Sequence, residues 1–322
     1  MSNYTGGHTS GLSPDAVQTE IDAVAWEKYQ RTEQPGYVSA SDSFFFMQDT
    51  TNLLAYTWDE DSNVGGFDET DEQETIADTD TRIGNTKTKR QQKWTKQIPV
   101  SMEAFKADAV GKRAKIGSQI GDRARLTQDK ASLLNTYGDA FAGAKNTTPD
   151  GQAWASNSHV TLKNVTVDNL ETGALNADNL WTVVQSLANQ KAQDGELGGY
   201  QFEGIMVPFI LYKTAKEVMD STLVPFSAEN QINIFDTVYG TVRIGASAFL
   251  GSAFNGASNA NTSYHVLSSS HMATRQVFMD FNTDLIDPTK TANDSWAYRG
   301  RFMEAHFMQS FCGYVGSNGT VA

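Results

Sequence analysis

A serine beside a histidine can supply a nucleophile and its general base. Ser156, Ser158 and His159 stand together in the run Asp150-Gly151-Gln152-Ala153-Trp154-Ala155-Ser156-Asn157-Ser158-His159. Residues two or three apart in one loop seldom hold catalytic geometry without a third, orienting group, so the run reads better as a structural turn. Asp150-Gly151 favours a tight turn because glycine accepts a positive φ. Trp154 then offers a large buried anchor, and His159 a donor that closes the loop on a backbone carbonyl. Asp150, Gly151, Trp154 and His159 are the expected turn residues, and a hydrolase using Ser156 and His159 is the lesser alternative.

A second concentration of reactive groups is acidic: Asp59, Glu60, Asp61, Asp68, Glu69, Asp71, Glu72, Glu74, Asp78 and Asp80 crowd one stretch. Asp59, Asp61 and Asn63 begin like a calcium loop, but Val64 occupies the position that needs glycine and no matching ligand closes the loop. A solvated charged face is expected there. The histidines (His8, His159, His265, His271 and His306) form no HExxH and no Cys/His pattern. GxGxxG, GxxxxGK[ST] and GxSxG are all absent from the chain. The lone cysteine, Cys312, rules out an internal disulfide framework and is expected as a small buried hydrophobe. No catalytic residues, metal site or cofactor are expected, and the chain is read as no enzyme.

The elements that must position these residues follow from pattern. The formal net charge of −13 argues against a protein built chiefly to grip nucleic acid, which needs clustered Lys and Arg. No apolar run approaches the length of a membrane span, and the N-terminus lacks the basic start and apolar stretch of a secretory leader. Ser13-Pro14-Asp15 opens a helix to about Gln30, with Ala16, Ile21, Val24 and Trp26 as its stripe. Phe44-Phe45-Phe46-Met47 reads as a buried strand. The acids of 59–80 are followed by Arg82, Lys87, Lys89, Arg90, Lys93 and Lys96; two polar arms of opposite charge joined by Gly65-Gly66 suit a projecting β-hairpin. A long helix then runs from about Ser101 or Asp108 to Phe141, a span of roughly 50 Å. Gly111, Gly117 and Gly121 weaken it and let another backbone approach closely. Asn176 caps a helix bearing Leu180, Val184 and Leu187. Strands are expected at 202–207, 242–244, 264–267 and 275–281, a helix at 209–219, and one or two strands over 297–315 packed against the long helix.

Taken in order, these pieces resemble the major head proteins of tailed phages, specifically the Mu-type head-subunit group within the Hong Kong 97-like capsid fold. The Asp-Gly turn with its aromatic, Ser156 and His159, directly after a long helix, carries the resemblance. So do Ile98-Pro99-Val100-Ser101-Met102-Glu103, which looks like the opening of the family's spine helix, Val207-Pro208 at the end of a strand, and Arg301-Phe302 to Phe311. Each motif alone is weak, and the order carries the weight.

The resemblance implies an α+β fold with an N-terminal arm (1–45), an extended β-hairpin loop (46–98), a peripheral domain with the spine helix (99–170), an axial domain (171–296) and return strands to the peripheral domain (297–322). It implies a structural subunit of the virion, assembled in the host cytoplasm, that forms hexamers and pentamers of itself and an icosahedral shell. The implied partners are a separate scaffolding protein, a portal protein, a decoration protein and packaged double-stranded DNA without sequence specificity; no membrane is involved. The family's cleaved N-terminal scaffolding region has no counterpart here, so no cleavage is expected. Asp59, Glu60, Asp61, Asp68, Glu69, Arg82, Lys87, Lys89 and Arg90 are the expected intersubunit loop residues, since acidic and basic arms on identical neighbours complement one another. A phage tail or decoration protein is the structural alternative.

Overall fold

The longest strands form near the C-terminus, where alternation of large apolar and polar residues puts every second side chain on a buried face. The computed structural model describes residues 14–30, 37–62, 83–101, 112–222, 233–256, 260–286 and 295–320. In chain order these hold α1 (Pro14–Tyr29), β1 (Met47–Thr50), β2 (Ala55–Asp61), β3 (Ile83–Arg90), β4 (Gln92–Val100) and α2 (Lys112–Asn135). There follow β5 (His159–Val160), β6 (Thr166–Val167), β7 (Leu170–Glu171), α3 (Ala177–Ala188), β8 (Gly204–Pro208), α4 (Tyr212–Asp220), α5 (Ile234–Val238) and β9 (Arg243–Ser247). The chain ends with α6 (Ser252–Asn255), β10 (Tyr264–Leu267), β11 (Ala273–Ile286), β12 (Trp296–Met308) and β13 (Tyr314–Ser317).

Two sheets organise this mixed α and β chain. A four-stranded sheet runs β1-β11-β12-β4, with β1 parallel to β11 and the other pairs antiparallel. A five-stranded sheet runs β7-β13-β10-β8-β9, parallel at its two edge pairs and antiparallel between them. The strands β2 and β3 form a separate antiparallel ribbon, as do β5 and β6. The five-stranded sheet buries Ile205, Val207, Val266 and Val315 against Leu180, Val184 and Leu187 of α3. The expected cap of that helix is present: Asn176 Oδ1 accepts from Asn179 N at 2.8 Å.

The helix α2 lies on the four-stranded sheet, where Ile120 meets Phe281, Tyr298 and Phe302. The helix α1 packs on both, through Ile21 and Ala25. A Cβ on Gly117 would stand 2.6 Å from the Ile21 carbonyl oxygen, and one on Gly121 would stand 2.1 Å from that of Ala25. Only glycine permits this contact, so the close approach expected of these glycines is made by α1. Tyr29 stacks on Phe281 at 4.7 Å and donates its hydroxyl to Gln128 of α2 at 2.6 Å.

Four expectations change. The long helix stops at Asn135 rather than Phe141, and its expected start over 102–111 lies outside the described residues. Ser132 and Thr136 donate their hydroxyls to carbonyls one turn back, at 2.8 and 2.6 Å. Asp139 then gathers the N–H groups of Ala144, Lys145 and Asn146 at 3.0, 2.7 and 2.7 Å, which turns the chain back on itself. Phe44–Phe46 is a turn, not a strand, because Asp42 Oδ1 accepts from Phe44 N at 2.9 Å and Asp42 O from Phe46 N at 2.9 Å. The strand β4, expected within the projecting loop, is an edge of the four-stranded sheet, paired with β12 from Val100 to Gln92. The C-terminal strands divide between the sheets: β12 lies under α2, whereas β13 joins the five-stranded sheet, and β11, expected with the 171–296 unit, pairs with β1 and β12.

Replacing Gly121 by Val should displace α1 and cost about 1–3 kcal/mol, the usual penalty for overpacking. Urea denaturation and limited proteolysis after Tyr29 would read both effects. Lys115→Ala, an exposed change in the same helix, should stay within about 0.5 kcal/mol of the parent.

Candidate assembly surfaces and the turn at Asp150

The turn begins with Gly151 at φ +85°, donating its N–H to Thr148 O at 2.9 Å. Asp150 Oδ1 accepts from Thr148 Oγ1 at 2.5 Å and Gln152 N at 3.2 Å, and Oδ2 lies 2.7 Å from His159 Nδ1. His159 is fully buried, with Nε2 3.1 Å from Trp154 O and its ring stacked 4.4 Å from Phe311. Burial works to raise the Asp150 carboxyl, but the hydrogen bond and charge of His159, helped by Thr148 and Gln152, outweigh it and hold the carboxyl below its ordinary range. Trp154 is also fully buried; its indole N–H donates to Ser310 O at 3.1 Å and its ring stacks on Tyr314 at 3.7 Å.

Chemically this is a lock. Both His159 nitrogens face acceptors, leaving none to receive a serine proton. Ser156 Oγ pairs with Ser158 Oγ at 3.1 Å, and Ser158 Oγ lies 3.5 Å from Gln152 Oε1, so the hydroxyls turn to each other and to the turn. Among the described residues no group of three or more His, Cys, Asp or Glu is placed to hold a metal ion, and no helix is long and apolar enough to cross a membrane.

The charged hairpin divides by face. Opposed residues of an antiparallel pair share a face, and β2 and β3 oppose Tyr56 to Lys89, Trp58 to Lys87 and Asp59 to Thr86. The Tyr56–Trp58 face turns onto the body: Trp58 stacks on Phe307 at 4.3 Å and donates its indole N–H to Gln309 O at 3.3 Å. Lys87 donates to Thr147 and, at 3.1 Å, to Thr148 O, while Lys89 donates to Asn146 and, at 3.3 Å, to Lys145 O. Burial lowers both ammonium groups from their ordinary range. Glu60 is buried on the same face. Lys87, Lys89 and Glu60, expected to meet a neighbour, are thus engaged within their own chain, because strand alternation turns them inward. Asp59, Asp61 and Arg90 remain exposed. Asp68, Glu69 and Arg82 lie outside the described residues.

Two features escaped the sequence. Arg275 of β11 and Glu304 of β12 form a buried pair at 2.8 Å, with Gln128 of α2 3.4 Å from the same carboxylate oxygen and His306 3.3 Å from the other. Burial opposes the Glu304 charge, but His306 and Arg275 outweigh it and hold the carboxyl below its ordinary range. Phe209 and Ile210, directly after β8, are 62% and 66% exposed, and Val238 of α5 is 62% exposed. No periodicity could separate these from core residues.

Substituting Ala for His159 should leave Asp150 buried without its partner and cost about 3 kcal/mol in urea denaturation at neutral pH. The Asp150 carboxyl is lower in the folded chain, so its contribution is complete above the ordinary carboxylate range and is lost as pH falls through the folded value. Asp150→Asn should therefore flatten the acid limb of stability. An acid limb identical to that of the parent would contradict the lock.

No protein-family model and no curated protein matches this chain. Solved structures do. The capsid of Myoviridae Phage XM1 is 12% identical, with 91% of this chain and 95% of that chain covered at a TM-score of 0.52. The capsid of a native GTA particle is 10% identical, with 89% and 92% covered at 0.54. A chain of Mycobacterium phage Adephagia is 16% identical, with 97% and 99% covered at 0.51. At these identities the likeness is one of fold, and the fold of this chain is that of the phage capsid chains.

Proposed function

We propose that the chain is a major capsid protein, which joins copies of itself into pentamers and hexamers and closes an icosahedral head around double-stranded DNA. The observation that carries this reading is the extent of the likeness: 91% of this chain and 95% of the phage XM1 capsid chain align. The order of motifs along the sequence favours the Mu-type head subunits among such proteins. The virion is the proposed location, after assembly in the host cytoplasm, with a separate scaffolding protein and a portal protein as partners and a decoration protein on the shell. Packaged DNA would be met without sequence specificity, in keeping with a chain of net charge −13.

The surfaces support self-association. Single exposed apolar residues are ordinary, but Phe209 and Ile210 are adjacent and lie at the mouth of a fully buried strand. A neighbouring copy at the capsomer axis would cover them. Among the described residues of the hairpin, the outward face with Asp59, Asp61 and Arg90 is free to bridge subunits together with the 63–82 segment it leads into. The proposed peripheral unit draws on β1, β4, β11, β12 and α2, and the axial unit on the five-stranded sheet with α3.

Expression with the cognate scaffolding protein should give closed shells in electron micrographs and megadalton species in sedimentation. Monomers or dimers at high concentration under those conditions would overturn the reading. Because β4 is part of the sheet, the loop test is deletion of 63–82 alone, with a short Gly-Ser link across the paired β2 and β3. Such subunits should fold and fail to form stable shells; stable shells would remove the bridging role of the hairpin.

A further inference from the structure

The root of the hairpin holds an unfinished hydrogen-bond pair. Glu60 of β2 and Gln193, in the segment after α3, are 4% and 6% exposed. Gln193 Nε2 donates to Glu60 Oε1 at 3.2 Å. The other oxygen of each side chain, Glu60 Oε2 and Gln193 Oε1, is buried and meets no donor. Buried acceptors are almost always satisfied, and here the two orphans sit on side chains already joined by one bond.

We propose that Glu60 carries a proton while the hairpin is docked, closing with Gln193 as a carboxylic acid–amide pair, and that loss of this proton loosens the hairpin root from the body. One proton answers both orphans. The acid O–H on Oε2 donates to Gln193 Oε1, while the amide N–H donates, as seen, to Glu60 Oε1. Both residues line a cleft with Trp58, Asp194 and Tyr200, and the two orphaned oxygens are themselves out of contact with solvent.

The surroundings agree. The charged and titratable groups facing Glu60 from the packed elements are Asp150 of the turn, Lys87 of β3, Asp194 beside Gln193, and Cys312 between β12 and β13. Asp59 and Asp61 on its own strand are exposed. Lys87 is bound to Thr147 and Thr148 rather than to Glu60. Burial lifts the Glu60 carboxyl to about 7; Asp150 adds to the rise, and the nearby polar side chains of Asn85 and Gln193 with the charge of Lys87 oppose it.

The sign follows from linkage. The docked hairpin binds the Glu60 proton more tightly than the undocked one, so docking is strongest below the ordinary glutamate range and weakens as pH rises towards about 7, then levels off. Within that window the opening constant rises roughly tenfold per pH unit, one proton being released per opening. This holds for the isolated subunit whether or not it builds a shell.

Hydrogen exchange on the full chain from about pH 5 to about pH 9, corrected for intrinsic amide rates, tests it. Peptides covering 55–62, 83–91 and 190–198 should lose protection as pH rises and then plateau. In Glu60→Gln, whose amide can make the same two bonds without titrating, protection should be pH-independent. An unchanged rise in Glu60→Gln, or no rise in the parent, overturns the proposal. Should that variant fail to fold, infrared spectra of the parent decide: at about pH 6, where exposed carboxyls are ionised, a carboxylic-acid carbonyl band should persist, and its absence overturns the proposal.

Discussion

The chain crosses from one sheet to the other between β12 and β13, and the structure depends on satisfying the buried backbone of that crossing. A buried peptide group without a partner is costly, and distant segments supply partners to several groups here. Ser310 O receives the Trp154 indole N–H at 3.1 Å, and Phe311 O receives Gln190 Nε2 at 3.3 Å. Cys312 N donates to Ser310 Oγ at 3.2 Å, and Gly313 N to Gln190 Oε1 at 2.8 Å. Ser268 N reaches Gly313 O at 2.9 Å. Gly313 has φ +71°, and a Cβ there would lie 3.0 Å from His271 N, so the crossing needs glycine.

The Asp150 turn is the other half of this arrangement. Asp150 orients His159, His159 stacks on Phe311 and holds the Trp154 carbonyl, and Trp154 donates to Ser310 and stacks on Tyr314. A motif with the residues of a hydrolase thus serves to bind two sheets. Its buried polar pair parallels Arg275–Glu304, whose bond at 2.8 Å is also out of solvent; such pairs give little net stability, but breaking one by removing a partner is costly.

The hairpin is attached to the same region. Lys87 and Lys89 grip the loop that Asp139 folds back, Trp58 stacks on Phe307 just ahead of the crossing, and Glu60 meets Gln193. An element with little core of its own is held by polar contacts that depend on solvent conditions and by one aromatic stack. For a subunit proposed to assemble with its copies, such a root ties the hairpin to the body at a few named contacts.

The sequence by itself determined the elements whose signal is local. The Asn176 cap, the α3 stripe, the strand expected at 202–207 and found at 204–208, and the need for a close partner at Gly117 and Gly121 all follow from neighbours in the chain. Local pattern gave a mix of helices and strands, and the order of motifs pointed to the fold of the phage capsid chains, which the solved structures bear out. What local pattern could not decide was which residues meet across the sheets. Alternation places Arg275, Glu304 and His306 on strands but does not say that they face one another, and a charge run cannot reveal that Lys87, Lys89 and Glu60 point inward. The division of β12 from β13 depends on Gln190 and Trp154 reaching partners distant in sequence. Only tertiary structure brings those groups within hydrogen-bond range, and their buried carbonyls and carboxylates then decide where the chain turns.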